Sequence, residues 1–240
     1  MQASRSFQSL DVANAPPLLW GLGSLTNIPV HLELDHFFVL TEPGAPLADK
    51  LIAGGLREGE PNTHPGQGTS NRRFFFTNSM LELLWLYDRA EAISGPGKRM
   101  RIAERAASVD ASPFGLVFRP TEETNSKMPF AGWKYEPDYL GAPKFLHVGA
   151  NSENLVEPLL IFIPFLAASV THSAAADNGT VNSLRISAPL DESSIELSAA
   201  AGARDVSFEL GAPHLLEVYC DGAKSGSIDL RPSLPLVVYR

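Results

Sequence analysis

Alternating apolar and polar residues mark the first regular element that the chain predicts. Over residues 32–40 (LELDHFFVL), one face of an extended strand collects the even-numbered side chains Leu32, Leu34, His36, Phe38 and Leu40. Glu33 and Asp35 fall on the opposite face. The pattern therefore predicts a strand whose apolar face carries one imidazole, that of His36.

A helix and further strands follow. After the turn signal TEPGAP, residues 46–54 predict a short amphipathic helix that ends at two glycines. The composition of residues 61–71 is typical of a loop. Strands are predicted over 56–60, 72–77 and 79–87, so this part of the chain reads strand, helix and three strands.

The same order returns near the C-terminus, with a strand over 181–188, a short helix to residue 201 and three more strands. Aligning the two copies pairs His36 with Asn182, and Glu82 with Glu217. His36 and Glu82 are 46 residues apart in the first copy, and Asn182 and Glu217 are 35 residues apart in the second. The difference of 11 is the length of the loop 61–71, so one insertion accounts for it.

These copies divide the chain into four parts and predict an α+β fold. An irregular arm covers residues 1–30, and the first βαβββ module covers 31–90. A connecting region with an extra helix and strands covers 91–178, and the second module covers 179–240.

The repeat, the opening strand with its LDH sequence and the MLELLW strand resemble the vicinal-oxygen-chelate superfamily. That superfamily includes glyoxalase I, extradiol dioxygenases, epimerases and bleomycin-resistance proteins. The resemblance implies two modules in one U-shaped mixed sheet around a central cup that holds a divalent metal. It also implies ligands on the first and last strands of each module, which are here His36, Glu82, Asn182 and Glu217. An amide oxygen such as that of Asn182 is the weakest of these ligands.

The two glutamates support a metal site on physical grounds. Glu82 and Glu217 lie in apolar strands, where an unpaired carboxylate is costly, and two such groups in one cup would repel each other. A cation between them removes both costs. With one imidazole, the ligand set suits Mn, Fe, Co, Ni or Zn. The resemblance also implies that a ligating glutamate transfers a proton, with Glu217 as first candidate and Glu82 as second. The competing interpretation is structural, with His36 in a core and the glutamates paired to Arg72, Arg73 or Arg185.

Other residues are candidates for substrate contact. His64 lies in a loop with two glycines, which favour close approach of a ligand. Arg73 lies in the predicted strand over 72–77 and Trp85 in the predicted strand over 79–87, and His172 precedes a small-residue segment. Three aromatic residues of the connecting region are candidates for the cup mouth or for core packing: Trp133, Tyr135 and Tyr139.

Composition limits the partners. The net charge is −8 and the pI is about 5.2, which disfavours binding to nucleic acid and to anionic membranes. The single cysteine, Cys220, cannot form an internal disulfide. No signal sequence is recognised, and a cytoplasmic location is expected.

The leading hypothesis is a divalent-metal-dependent lyase, isomerase or dioxygenase acting on a small molecule with adjacent oxygens. The alternatives are a metal-free binding or sequestration protein of the same fold, and a cup filled by side chains. Pairing into a homodimer through sheet edges stays open.

Overall fold

The computed structural model describes residues 32–122, 128–166, 178–190, 195–201, 203, 205–211, 213–221 and 225–240. The predicted arm 1–30 lies outside these residues. The strands are β1 (Leu32–Leu40), β2 (Gly59–His64), β3 (Thr69–Phe75), β4 (Met80–Leu86), β5 (Phe114–Pro120), β6 (Gly132–Tyr135), β7 (Leu146–Gly149), β8 (Leu159–Phe162), β9 (Thr180–Ala188), β10 (Val206–Leu210), β11 (Leu215–Asp221), β12 (Ser227–Asp229) and β13 (Leu236–Tyr239). The helices are α1 (Ala48–Ala53), α2 (Arg89–Ser94), α3 (Ile102–Arg105) and α4 (Ile195–Ala201), with short 3₁₀ turns at Lys98–Met100, Asp138–Leu140 and Ala150–Glu153.

Eight of the described strands form one mixed sheet in the order β2-β3-β4-β1-β5-β8-β7-β6. The sheet consists of two similar halves. In each half the first strand is parallel to the fourth, and the second and third run antiparallel to their neighbours. The halves meet where β1 pairs antiparallel with β5. An approximate twofold axis between β1 and β5 therefore relates them.

The first half confirms the strand-helix-three-strand order predicted for residues 31–90. Its partner in the sheet, however, is residues 114–162, which the sequence assigned to the connecting region. Residues 179–240 contribute a separate five-stranded sheet in the order β10-β9-β11-β13-β12. The α+β class is confirmed, but the prediction that 31–90 and 179–240 share one U-shaped sheet is wrong. Local patterns specify strands and helices, whereas the choice of pairing partner depends on contacts distant in sequence.

The main core lies between the two sheets. Alternate residues of β9 and β11 face it, and the helices α1 and α4 cover its sides. The central strand β5 is apolar along almost its whole length because both of its faces are covered. Its other face belongs to a second apolar cluster, on the side of the eight-stranded sheet away from the five-stranded one.

A β-bulge interrupts β1 at Asp35, between Leu34 and His36. Leu34 and Phe37 both face the core between the sheets, while His36 and Phe38 face the other side. The prediction that the even-numbered residues of this strand share one face is therefore wrong. A bulge adds one residue to the strand and shifts the alternation beyond it.

The eight-stranded sheet curls towards the side that carries His36, which we call the concave face. Strands β2 and β6 are its opposite edges, yet the ring centroids of His64 and Tyr139, which end and follow these strands, are 6.1 Å apart. Met100 and Ile102, from the segment after α2, pack into the second apolar cluster on this face. No helix in the described ranges is long and apolar enough to cross a membrane.

Candidate functional site

The bulge in β1 brings Asp35 and His36 into direct contact. Nδ1 of His36 lies 2.6 Å from Oδ2 of Asp35, and Nη1 of Arg119 donates to Oδ1 of Asp35 over 3.1 Å. Arg119 comes from β5, in the other half of the sheet, and its Nε also donates to Glu33 over 3.2 Å. A chain of charged groups thus holds one ring nitrogen of His36, while Nε2 has no hydrogen bond to any described residue.

Glu82 lies on the same face, on the neighbouring strand β4, where it pairs in register with Phe38. The side chain is buried, with 5% of the residue exposed, and the described residues offer it no hydrogen bond or ion pair. Arg73 stands opposite Glu82 on β3 but donates instead to the carbonyls of Glu60 and Pro61. A buried carboxylate without a partner lowers the stability of the fold. Such a group is expected where a protein binds a cation or a proton donor.

Polar and aromatic side chains continue the site towards the sheet edges. Nδ1 of His64 is 3.0 Å from Oγ1 of Thr69, a residue that also accepts from Gln67. Tyr139 packs near the His64 ring. These groups leave Nε2 of His64 without a hydrogen bond to the described residues, as for His36.

The pKa shifts identify these groups as one electrostatic cluster. Burial lowers the pKa of His36, but the hydrogen bond to Asp35 and the charge of Glu82 raise it more, so the net pKa is raised. Burial lowers the pKa of His64, and the charge of Glu82 only partly opposes this. Burial and the nearby Tyr135 and Glu82 raise the pKa of Tyr139. Glu82 is therefore the charge that all three groups share.

The second half of the sheet contributes Tyr139 to the site, but the side chains of its central strands on the concave face are mainly apolar. Its central strands β5 and β8 present Val117, Leu159 and Ile161 to the apolar cluster on this side. Arg119 is the charged residue that β5 adds, and it acts through Asp35. The candidate ligands therefore come from the first half alone.

The donor set matches a divalent metal in part. His36 Nε2 and the Glu82 carboxylate are the nitrogen and oxygen donors that Mn, Fe, Co, Ni and Zn accept. The hydrogen bond from His36 to Asp35 is the outer contact that metal-bound histidines usually make. Within the described ranges, however, no three His, Cys, Asp or Glu side chains are grouped closely enough to hold a metal ion. A metal here would have these two protein ligands and take its others from solvent or substrate.

Glu217 and Asn182 do not belong to this site. Glu217 lies on β11 of the other sheet, between Leu216 and Val218, which face the core between the sheets. Its carboxylate accepts hydrogen bonds from two stacked tyrosines, from Tyr239 over 2.9 Å and from Tyr219 over 3.3 Å. It therefore faces away from Glu82. Asn182 is exposed beside an irregularity in the pairing of β9 with β11. The prediction that both contribute to one cup with His36 is wrong.

Only some of the residues predicted to contact substrate lie on the concave face. His64 and Arg73 lie on the concave face, and both influence the same charge cluster. Trp85 packs against the core between the sheets, because it is one residue out of phase with Glu82 along β4. His172 lies outside the described residues. Of the three aromatic candidates, Tyr139 belongs to the charge cluster, whereas Tyr135 and Trp133 pack in the second apolar cluster.

Sequence reasoning missed Asp35 and Arg119. Strict alternation predicts Asp35 on the face opposite His36, and no residue type in LELDHFF indicates a bulge. The signal that existed is the adjacent pair Asp35-His36, in which a carboxylate directly precedes an imidazole.

An open crevice of about 1070 Å³ lies elsewhere, between the ends of the two sheets. Six prolines contribute to its walls, together with Glu42, Asp110 and His214. Arg105 also lines it, but its guanidinium donates to main-chain carbonyls, among them that of Glu157 over 2.6 Å. None of the residues on the concave face that form the charge cluster borders this crevice.

Comparison with known proteins gives information on the fold of the chain but none on its function. No protein-family profile matches the chain, and no curated protein matches it in sequence. A hypothetical protein from Staphylococcus aureus is similar in structure, with a TM-score of 0.50 at 10% identity over 86% of this chain and 98% of that one. A hypothetical protein from Bacillus halodurans matches over 58% of this chain and 99% of its own, with 14% identity and a TM-score of 0.38. At such identity the first likeness shows a shared fold alone.

Proposed function

We propose that the concave face of the eight-stranded sheet is the active site of a small-molecule enzyme of vicinal-oxygen-chelate type. The reaction class is that of a lyase, isomerase or dioxygenase acting on adjacent oxygens. His36 and Glu82 are the proposed ligands of a divalent metal ion. The metal, when bound, would polarise substrate oxygens and stabilise negative charge that develops on them.

The observation that carries this proposal is the state of Glu82. It is a buried carboxylate without a hydrogen bond or ion pair to the described residues, and its charge acts on His36, an imidazole with an unused ring nitrogen on the same face. A natural core rarely keeps such a group unless it binds something. The corrected arrangement also supports the resemblance, because two half-sheets related by an approximate twofold axis are what it implies. The partner half is 114–162 instead of 179–240.

The surrounding residues have roles that follow from their electrostatics. Glu82 is the proposed proton acceptor, since Glu217 lies on the other sheet. The raised pKa of Tyr139 keeps its phenol protonated and able to donate a hydrogen bond to a substrate oxygen. The lowered pKa of His64 keeps that ring neutral near pH 7, as a hydrogen-bonding partner without charge.

Metal-linked stability tests the proposal, with Glu82→Gln compared against Glu217→Gln. A ligand at a hundredfold its Kd stabilises a protein by about 2.7 kcal/mol. For a chain of this size that raises Tm by roughly 5 to 10 °C. Mn²⁺ or Zn²⁺ should raise the Tm of the wild type and of Glu217→Gln equally. Glu82→Gln should lose the shift.

Two outcomes would contradict the proposal. One is a wild type whose Tm no metal of the set Mn, Fe, Co, Ni and Zn changes. The other is a metal-dependent shift that survives in Glu82→Gln and disappears in Glu217→Gln. The Glu217 variant is a matched control, because it makes the same chemical change on a strand of the other sheet.

A metal-free binding or sequestration protein of the same fold is the second candidate. The apolar side chains that β5 and β8 present to the concave face favour it. Elemental analysis of protein purified without chelators separates the two candidates. Stoichiometric divalent metal supports the enzyme. A protein that is purified without metal, and whose Tm does not change when metal is added, supports the binding module.

A further inference from the structure

The contact between the two halves of the sheet has a consequence for His36. Asp35 and Arg119 are each only 4% exposed, and their ion pair joins β1 of the first half to β5 of the second. The other oxygen of Asp35 contacts Nδ1 of His36 at 2.6 Å. One carboxylate is thus placed between a permanent cation and one particular ring nitrogen.

The chemistry of this arrangement determines which nitrogen carries the proton. A guanidinium stays charged at every pH at which the protein is folded, and it favours the ionised form of the carboxylate beside it. An ionised carboxylate only accepts hydrogen bonds, so the ring nitrogen that faces it must be N–H. When His36 is neutral, its proton therefore lies on Nδ1, and the lone pair lies on Nε2.

We propose that Asp35, held by Arg119, is a positioning residue that fixes His36 in the Nδ1–H tautomer and presents the Nε2 lone pair to the concave face. The second half of the sheet then takes part in the site through Arg119, although it supplies no ligand. The consequence for metal binding rests on the proposed function, but the tautomer itself does not. A purely structural ion pair would hold the two strands together without any effect on the ring proton.

The tautomer is measured directly by long-range ¹H–¹⁵N correlation NMR of the metal-free protein. Because the pKa of His36 is raised above its ordinary value of about 6.5, spectra are recorded at increasing pH until the ring nitrogen signals of His36 stop changing, which marks the neutral form. The His36 signals are assigned as those missing from His36→Gln. The variant is Asp35→Asn, whose amide can donate to Nδ1 and so permits the Nε2–H form. The control is Glu33→Gln, since Glu33 also contacts Arg119 but makes no contact with His36.

We expect the Nδ1–H tautomer in the wild type and in Glu33→Gln, and the Nε2–H tautomer in Asp35→Asn. Isothermal titration with Zn²⁺ should show affinity 10- to 100-fold weaker in Asp35→Asn, the usual effect of removing such an outer contact. Glu33→Gln should bind within about twofold of the wild type, because it leaves the His36 contact intact.

A wild type in the Nε2–H form would overturn the inference, and this result does not depend on whether any variant folds. An Asp35→Asn protein that keeps the Nδ1–H form would overturn it as well. If the wild type is Nδ1–H but Zn²⁺ does not bind, the proposed function fails and the positioning role stands. If Zn²⁺ binds equally to wild type and Asp35→Asn, the function stands and the inference about affinity fails.

Discussion

Replacing Arg119 by methionine should destabilise the protein strongly, because Arg119 forms a buried ion pair with Asp35. Methionine matches much of the arginine stem, so the change removes the charge with little loss of packing. The Asp35 carboxylate then stays buried without its guanidinium partner, 4% exposed and next to His36.

The geometry of the ion pair gives the expected loss in the free energy of unfolding. At the 3.1 Å separation of Nη1 and Oδ1, an effective dielectric constant of 20 gives an attraction on the order of 5 kcal/mol. Breaking one side of a buried pair costs about 3–5 kcal/mol in practice. The second contact, to Glu33, is more exposed and adds less than about 1 kcal/mol. We therefore expect Arg119→Met to lose roughly 3–4 kcal/mol.

Urea denaturation of the metal-free protein at pH 7 measures this loss, and a double variant tests its origin. Asp35→Asn combined with Arg119→Met removes both charges, so it should be more stable than Arg119→Met alone by on the order of 2 kcal/mol. A loss below about 1 kcal/mol in Arg119→Met would refute the reasoning. So would two single-variant losses that simply add in the double variant.

Two further predictions concern acid stability and packing of the concave face. In the metal-free protein, the raised pKa of His36 contributes stability that is present below pH 6.5 and lost as pH rises through its folded-state pKa. The lowered pKa of His64 does the reverse and costs stability as pH falls below 6.5. Between pH 7 and pH 5, thermal melts should therefore show His64→Gln losing less stability than the wild type and His36→Gln losing more; the opposite order would contradict these shifts. Gly115→Ala should cost about 1–3 kcal/mol in urea titrations, because its Cβ would lie 2.1 Å from the Phe38 ring. An unchanged denaturation midpoint would show that the ring moves freely.

The first half of the sheet was predictable because its signals are local. The turn after β1 and the glycines after α1 each specify their own neighbourhood, and the strand order along the chain follows. The predicted loop over 61–71 is wrong in part, because residues 61–64 belong to β2 and residues 69–71 to β3. The pairing of β1 with β5 is different, because it joins residues about 80 positions apart through a register that no local pattern fixes.

Glu82 and Glu217 show what a local sequence pattern can predict about the burial of a glutamate. Both lie in apolar strands, and the same argument selected both. In β4 the residues around Glu82 are apolar on both faces, and the strand is central and covered on both sides. In β11 the inward residues alternate with outward polar ones, and two tyrosine hydroxyls satisfy Glu217. The alternation in HLLEVYC is therefore the signal that distinguishes the half-buried Glu217, on the outer face of its sheet, from the buried Glu82.

Anomalous diffraction from crystals grown with Zn²⁺ tests the central claim most directly, with data collected above and below the zinc absorption edge. The account predicts one strong peak on the concave face, about 2.0–2.2 Å from both Nε2 of His36 and a carboxylate oxygen of Glu82. A peak at Glu217, or an ordered protein at saturating Zn²⁺ with no peak beside His36, would contradict it.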